Sequence, residues 1–296
     1  MLLAVACFFT PAALQAADPA TAGPQAGQKV AFMGDSITDG GYHDANGYVR
    51  LVEGALEQQG RKIVVIPAGV SGDTSKDMLA RLDKDVLREK PDWMTLSCGV
   101  NDVWHKEKKT GVSLDDYKKN ITSIVDQATA AGIKVIILTA TMIKEDPSNA
   151  ANQDLVAYND FLRSLATARH LPLADLNADM QKELAAQHAE VPQTKGNLLT
   201  RDGVHMNGLG NEMMAAGVLK AMGSTSAQID QAQVGWRSAP DGMEVVGKTS
   251  ISVNDYLKLR ALANRQGRTV DELLQERVKQ AVNALLGTPV PSSAKP

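Results

Sequence analysis

The chain has 296 residues, 44% of them apolar and 22% charged, with a formal net charge of −3 and two cysteines. At roughly 100–200 residues per domain this is one large domain or a domain with an appendage, and such a composition rules out a disordered or fibrous chain. The near-neutral balance offers no global basic field for nucleic acid or anionic lipid, Cys7 and Cys98 cannot build a disulfide framework, and an aromatic content of 4% argues against a sugar-binding wall of stacked rings.

The N-terminus opens with the apolar run Leu2-Leu3-Ala4-Val5-Ala6-Cys7-Phe8-Phe9 and passes through Pro11 to small residues at Leu14-Gln15-Ala16-Ala17. This pattern predicts a secretory signal peptide over residues 1–17, cleaved near Ala16 or Ala17, and too short to span a bilayer. No Lys or Arg precedes the apolar run, which leaves room for a start upstream of Met1. The segment before Cys7 is too short for a lipid-anchor signal, so no stable membrane anchor is expected, and the protein is read as secreted or periplasmic. Residues 18–28, rich in Ala, Gly and Pro, read as a flexible leader.

From Lys29 onward short β-rich runs alternate with amphipathic ones. Strands are predicted at 29–33, 62–66, 93–97, 134–138 and 171–176, and helices over about 48–59, 75–89, 114–131, 151–169, 178–187 and 208–222. Parallel strands need crossover connections and helices supply them, so the fold expected is a five-stranded parallel sheet in a three-layer α/β/α sandwich. Ligands in such sheets bind at the carboxyl ends of the strands.

Polar loops stand at those ends. The first strand runs into Gly34-Asp35-Ser36-Ile37-Thr38-Asp39-Gly40-Gly41, where Ser36 could face a substrate as a nucleophile, though Gly-Asp-Ser also describes an ordinary turn. The second ends in Gly69-Val70-Ser71-Gly72-Asp73-Thr74, a place for an exposed amide N–H or for a helix entry capped by Asp73 or Thr74. The third ends in Gly99-Val100-Asn101-Asp102, where Asn101 offers an amide donor. Near the C-terminal end of the pattern, Asp202-Gly203-Val204-His205 can place a carboxylate against an imidazole, a spacing that is common and by itself mostly structural.

In this order and at these positions the four segments resemble the SGNH hydrolase superfamily, the GDSL-type esterases and lipases, over about residues 29–222. Its hallmark positions fall on Ser36, Gly72, Asn101 and His205. The resemblance implies a serine esterase of flavodoxin-like fold with a Ser36, His205 and Asp202 triad. It also implies an oxyanion hole from Ser36, Gly72 and Asn101, an acyl-enzyme and no cofactor. Pro67 stands where the family has a supporting Asn, which touches the geometry of the Gly69–Gly72 loop more than the chemistry. Asp35 reads as a hydrogen-bonding buttress, and Asp35, Trp104 and His105 are candidate substrate contacts at the rim. His43 has the status of His105, and His170 and His188 sit near helix ends where the dipole explains them. The five histidines show no ligand spacing, so no metal site is expected.

Substrate is left to the cleft loops. Few aromatics or apolar runs lie near the site, which favours a short acyl group, acetyl foremost, on a sugar or small alcohol. The alternatives are a lysophospholipase or thioesterase of the same family, and a non-catalytic binding or dimerising protein on the same fold.

Beyond Met222 the chain continues for 74 residues. Residues 223–243 read as a linker or strap, Val245–Val253 as a strand, and two helices follow, one capped by Asn254 and ended by Gly267, the other opened by the capping box at Thr269 and Glu272. Residues 288–296, with three prolines among them, read as a disordered tail. The strand-helix-helix order of residues 244–287 weakly resembles a ribbon-helix-helix module. It leaves three readings: a hairpin packed on the esterase core, a homodimerisation element, and a nucleic-acid binder. Expected export and a local charge of only +3 over residues 251–296 argue against the last, so no nucleic-acid partner is expected.

Overall fold

A computed structural model describes residues 23–190, 192, 196–238 and 252–287. The chain divides into two compact units between Glu244 and Val245. In the first, β1 (Lys29–Gly34) leads directly into α1 (Ser36–His43) and α2 (Tyr48–Gln58), followed by β2 (Val64–Gly69), α3 (Ser75–Asp85) and β3 (Trp93–Ser97). A short α4 (Val100–Trp104), α5 (Leu114–Ala130), β4 (Lys134–Leu138), α6 (Ala150–Ala168), β5 (Leu173–Ala174) and α7 (Leu176–Glu190) come next, and α8 (Gly208–Ala221) and α9 (Ser226–Arg237) close the unit. The signal-peptide segment and the 288–296 tail lie outside the described residues, as do residues 239–251, which hold most of the expected strand.

Among the described residues the five strands are all parallel, in the order β2-β1-β3-β4-β5. Helices α2, α7, α8 and α9 pack on one another in one layer, and α3, α5 and α6 in the other. From β1 the chain steps one way to β2 and then crosses back past β1 to β3, so successive right-handed crossovers must use opposite faces. This makes the β1/β3 boundary the switch point, the place where a crevice opens at the carboxyl ends of an open α/β sheet. Val30, Ala31, Phe32 and Met33 of β1 and every residue of β3 are buried, as central strands covered on both faces should be. Tyr48, Tyr117 and Tyr158 are the largest fully buried side chains, each with its hydroxyl hydrogen-bonded.

Several elements differ from expectation. The Ser36 segment is a helix rather than a turn, because Gly41 lets the Tyr48 ring pack where a Cβ would lie 2.5 Å from it. β2 extends to Gly69 through Pro67, which an edge strand tolerates since a ladder N–H is not required on its outer side. β5 shrinks to two residues, because Pro172 lacks an N–H and Asp175 already turns the chain into α7 by accepting from the Ala178 amide.

The second half of the expected leader is fastened. Gly27 N–H donates to the Lys62 carbonyl, and the Gln28 side chain accepts from Trp93 Nε1. The expected linker contains α9, opened by a Thr225–Gln228 capping box and packed on α8 and α2. The second unit, over its described residues, is a pair of helices, α10 (Val253–Arg265) and α11 (Val270–Leu285). Ser252 rather than Asn254 caps α10, since its hydroxyl reaches the Asp255 amide, and the Thr269–Glu272 capping box opens α11.

Candidate active site

Four polypeptide segments converge at the carboxyl edge of the sheet. β1 ends in Gly34, where a Cβ would lie 2.0 Å from Thr38 Oγ1, so only glycine lets α1 start at once beneath the strand. Asp35 is the N-cap and accepts from the Ile37 amide at 2.9 Å. Ser36 is therefore the first helical residue: its own N–H has no intrahelical acceptor, and the positive end of the α1 dipole lies beside its hydroxyl. Asp35 is buried, and that burial pushes its carboxyl up to about 6. This location corrects its reading as a substrate contact, because the side chain is spent inside the turn and supports Ser36 from below.

His205 Nε2 lies 2.9 Å from Ser36 Oγ, and His205 Nδ1 lies 2.7 Å from Asp202 Oδ2. Asp202 Oδ1 also accepts from the amides of Val204 and His205, at 3.0 and 2.8 Å. Burial alone would raise the Asp202 carboxyl, but the His205 ring and these amides outweigh it and hold the group below the usual carboxylate range. An ionised carboxylate only accepts, so Nδ1 carries the proton and Nε2 is left to accept from the serine hydroxyl.

The turn bearing this pair is fixed from below. Thr200 and Met206 form an antiparallel bridge, and Gly203 takes φ +96. Glu145 accepts from the Leu198 and Leu199 amides and from Thr200 Oγ1. Lys144 and Glu145 themselves occupy positive φ, so part of the backbone strain of the region sits in this support. Nothing in the sequence pattern marks Glu145, which reads as a loop acid.

The second and third strand ends complete the edge. Gly72 adopts φ +88 in an exposed turn, a conformation that suits glycine. Thr74, with Asp77, forms the capping box of α3, so the helix-entry reading of this segment also holds. Gly99, at φ +134, leaves room for Ala140 and the Tyr117 hydroxyl, and the chain then enters α4 with Asn101 buried. Asn101 Nδ2 donates to the Asp73 carbonyl at 3.0 Å, which uses one of its two amide hydrogens.

Its neighbour Asp102 accepts from the Ser75 amide and hydroxyl, and Asn120 bonds the same hydroxyl. Burial pushes the Asp102 carboxyl up against these bonds, which lower it. Cys98 is buried and reduced, its thiol 3.5 Å from Asp102, and burial raises that thiol well above its ordinary value. Trp104 and His105 lie at the end of α4 with their rings 6.0 Å apart. Among the described residues no group of three His, Cys, Asp or Glu could hold a metal ion, and no helix is long and apolar enough to cross a membrane.

A hydroxyl, an imidazole and a carboxylate in one hydrogen-bonded line, beside a helix N-terminus and an amide donor, form an arrangement competent for acyl transfer. Residues 32–213 match the GDSL-like lipase/acylhydrolase family. The chain belongs to this family.

Among GDSL hydrolases it is 28% identical over 214 residues to an acetylxylan esterase of Geobacillus stearothermophilus, a match covering 67% of this chain and 94% of that protein. The crystal structure of the acetyl xylan esterase AlAXEase is 34% identical and superposes with a TM-score of 0.59, covering 65% of this chain and 98% of that one. A lipoprotein of Bacillus subtilis is 24% identical over 213 residues, covering 64% of this chain and 88% of that protein. The parallel sheet and its helices are those of the SGNH hydrolase fold, and this GDSL hydrolase is an enzyme that hydrolyses carboxylic esters.

Proposed function

We propose that this protein is an exported serine esterase that removes short acyl groups, acetyl foremost, from hydroxyls of a carbohydrate or small alcohol. The observation that carries the mechanism is the line Ser36–His205–Asp202, with contacts of 2.9 and 2.7 Å, at the switch point of the sheet.

Ser36 Oγ attacks the ester carbonyl carbon while His205 Nε2 takes the hydroxyl proton. Asp202 holds the ring and balances the imidazolium charge. The tetrahedral oxyanion is received by the Ser36 and Gly72 amides and by the free hydrogen of the Asn101 amide. Collapse breaks the bond to the alcohol oxygen, which takes the proton from His205, and leaves an ester on Ser36. Water then attacks that ester with His205 again as base, releasing the acid and the free serine. Each oxyanion donor in such a site contributes on the order of 100- to 1000-fold in rate. Trp104 and His105, at the end of the helix that carries Asn101, are the residues we assign to substrate contact at the rim.

The acetyl preference is supported by the acetylxylan esterases among the relatives and by the low aromatic content of the chain. Export is supported by the apolar N-terminal run and by a relative named as a lipoprotein. Hydrolysis of p-nitrophenyl esters of increasing chain length, run beside release of acetate from acetylated xylan, tests the substrate. The expected result is highest kcat/KM on acetyl. Activity that rises with chain length would replace the acetyl reading with a lysophospholipase or thioesterase.

A further inference from the structure

Arg81 projects from α3 into the space beneath the loops of the site, with a side chain only 14% exposed. Its Nε donates to Asp73 Oδ2 at 2.5 Å and its Nη1 to Asp85 Oδ2 at 3.2 Å. Its Nη2 donates to the carbonyls of Gly34 and Ala68, each at 2.9 Å. These partners are not scattered. Gly34 is the last residue of β1, two before Ser36. Ala68 lies near the end of β2, four before Gly72. Asp73 follows Gly72 directly, and its carbonyl takes the Asn101 Nδ2 hydrogen at 3.0 Å. A single guanidinium therefore ties together the backbone that precedes Ser36, the strand that leads to Gly72 and the residue on which Asn101 rests.

A planar fork with donors in fixed directions can set three such segments at once, and an ammonium on a flexible stem cannot. The distinction matters because oxyanion donors act only if they lie within about half an ångström of their productive positions.

We propose that Arg81 is a positioning residue of the oxyanion pocket: it holds Asp73, and through it the Gly72 amide and the Asn101 side chain, where the tetrahedral intermediate needs them. The proposal rests on the assignment of Gly72 and Asn101 as oxyanion donors. It makes Arg81 act through those donors and not on substrate, so its loss lowers kcat and leaves KM nearly unchanged.

The test is a double-mutant cycle on kcat for p-nitrophenyl acetate with wild type, Arg81→Lys, Asn101→Ala and the double variant, each first checked for native circular dichroism at the assay temperature. The expected result is a loss of about 10- to 100-fold in Arg81→Lys, as for a displaced donor, with KM within about threefold. In the Asn101→Ala background the same substitution then costs less in kcat, because one of the two donors it positions is gone. Unchanged kcat in Arg81→Lys, or an equal loss in both backgrounds, overturns the proposal, since a merely structural role does not depend on Asn101. Undiminished kcat in Asn101→Ala overturns the oxyanion assignment itself, which separates the two failures. If Arg81→Lys does not fold, Asp73→Asn, which breaks the same ion pair at constant size, takes its place in the cycle and is read by the same criteria.

Discussion

Burial of the Asp35 carboxyl makes the stability of the fold depend on pH. Its carboxyl is buried under α1, where removal from water raises its pKa to about 6 from an ordinary 3.8; the bond from the Ile37 amide and the charge of His205 pull it down, and Asp102 and Asp73 push it up. A folded-state value above the unfolded one means that the ionised carboxylate disfavours folding. The benefit of a neutral group is fully present below the unfolded value and is lost as pH rises through the folded one. At ~1.4 kcal/mol per pH unit the gap corresponds to about 3 kcal/mol above that window. Asparagine caps a helix as well as aspartate and carries no charge. Asp35→Asn therefore gains about 2–3 kcal/mol on wild type between roughly pH 4 and roughly pH 8. Urea unfolding of both proteins across that range, followed by circular dichroism, measures the difference. A stability difference that stays constant with pH, or one that moves against the variant as pH rises, would refute burial as the governing cause.

Asp202→Asn puts an amide where one carboxylate must serve a ring N–H and two backbone amides. Either the His205 tautomer or the turn is lost, and kcat falls on the order of 10³- to 10⁴-fold with the melting profile little changed; a loss below tenfold would remove Asp202 from the mechanism. Gly34→Ala drives a Cβ into Thr38 beneath the nucleophile and lowers stability by about 1–3 kcal/mol in urea titrations, whereas an unchanged midpoint would show that α1 does not need this close approach. A chain ending at Glu244 keeps kcat/KM on p-nitrophenyl acetate, because every residue assigned to the reaction lies in the first unit. A large loss there would place part of the site in the C-terminal helices.

The central strands were readable because, buried on both faces, they are largely apolar runs such as Val135-Ile136-Ile137-Leu138. The long helices were readable from their spacing. Helix α1 was not, since Ser36-Ile37-Thr38-Asp39-Gly40-Gly41 has poor helix propensity and is held by tertiary contacts: the Asp35 cap, the Thr38–Tyr48 bond and the Tyr48 ring against Gly41. Helix α4 is five residues long, too short to show a period.

The Asp-x-x-His spacing and the strand-end serine pointed to groups that the structure does bring together, 169 positions apart in the chain. Their supports were hidden for a different reason. Arg81, Asp102 and Glu145 are charged residues in segments where a charge ordinarily means a solvated face. Only the fold shows what each satisfies: Arg81 the Gly34 and Ala68 carbonyls at two strand ends, Asp102 the Ser75 amide that opens α3, and Glu145 the Leu198 and Leu199 amides ahead of the His205 turn.

Turnover by this mechanism requires that Ser36 become acylated. Rapid acid quench of the enzyme with p-nitrophenyl acetate, followed by proteolysis and mass spectrometry, should find one acetyl group on the peptide containing Ser36. Ser36→Ala should show neither the adduct nor hydrolysis while keeping the wild-type unfolding curve. Acetyl carried only by another residue, or undiminished turnover by Ser36→Ala, would rule out Ser36 as the nucleophile.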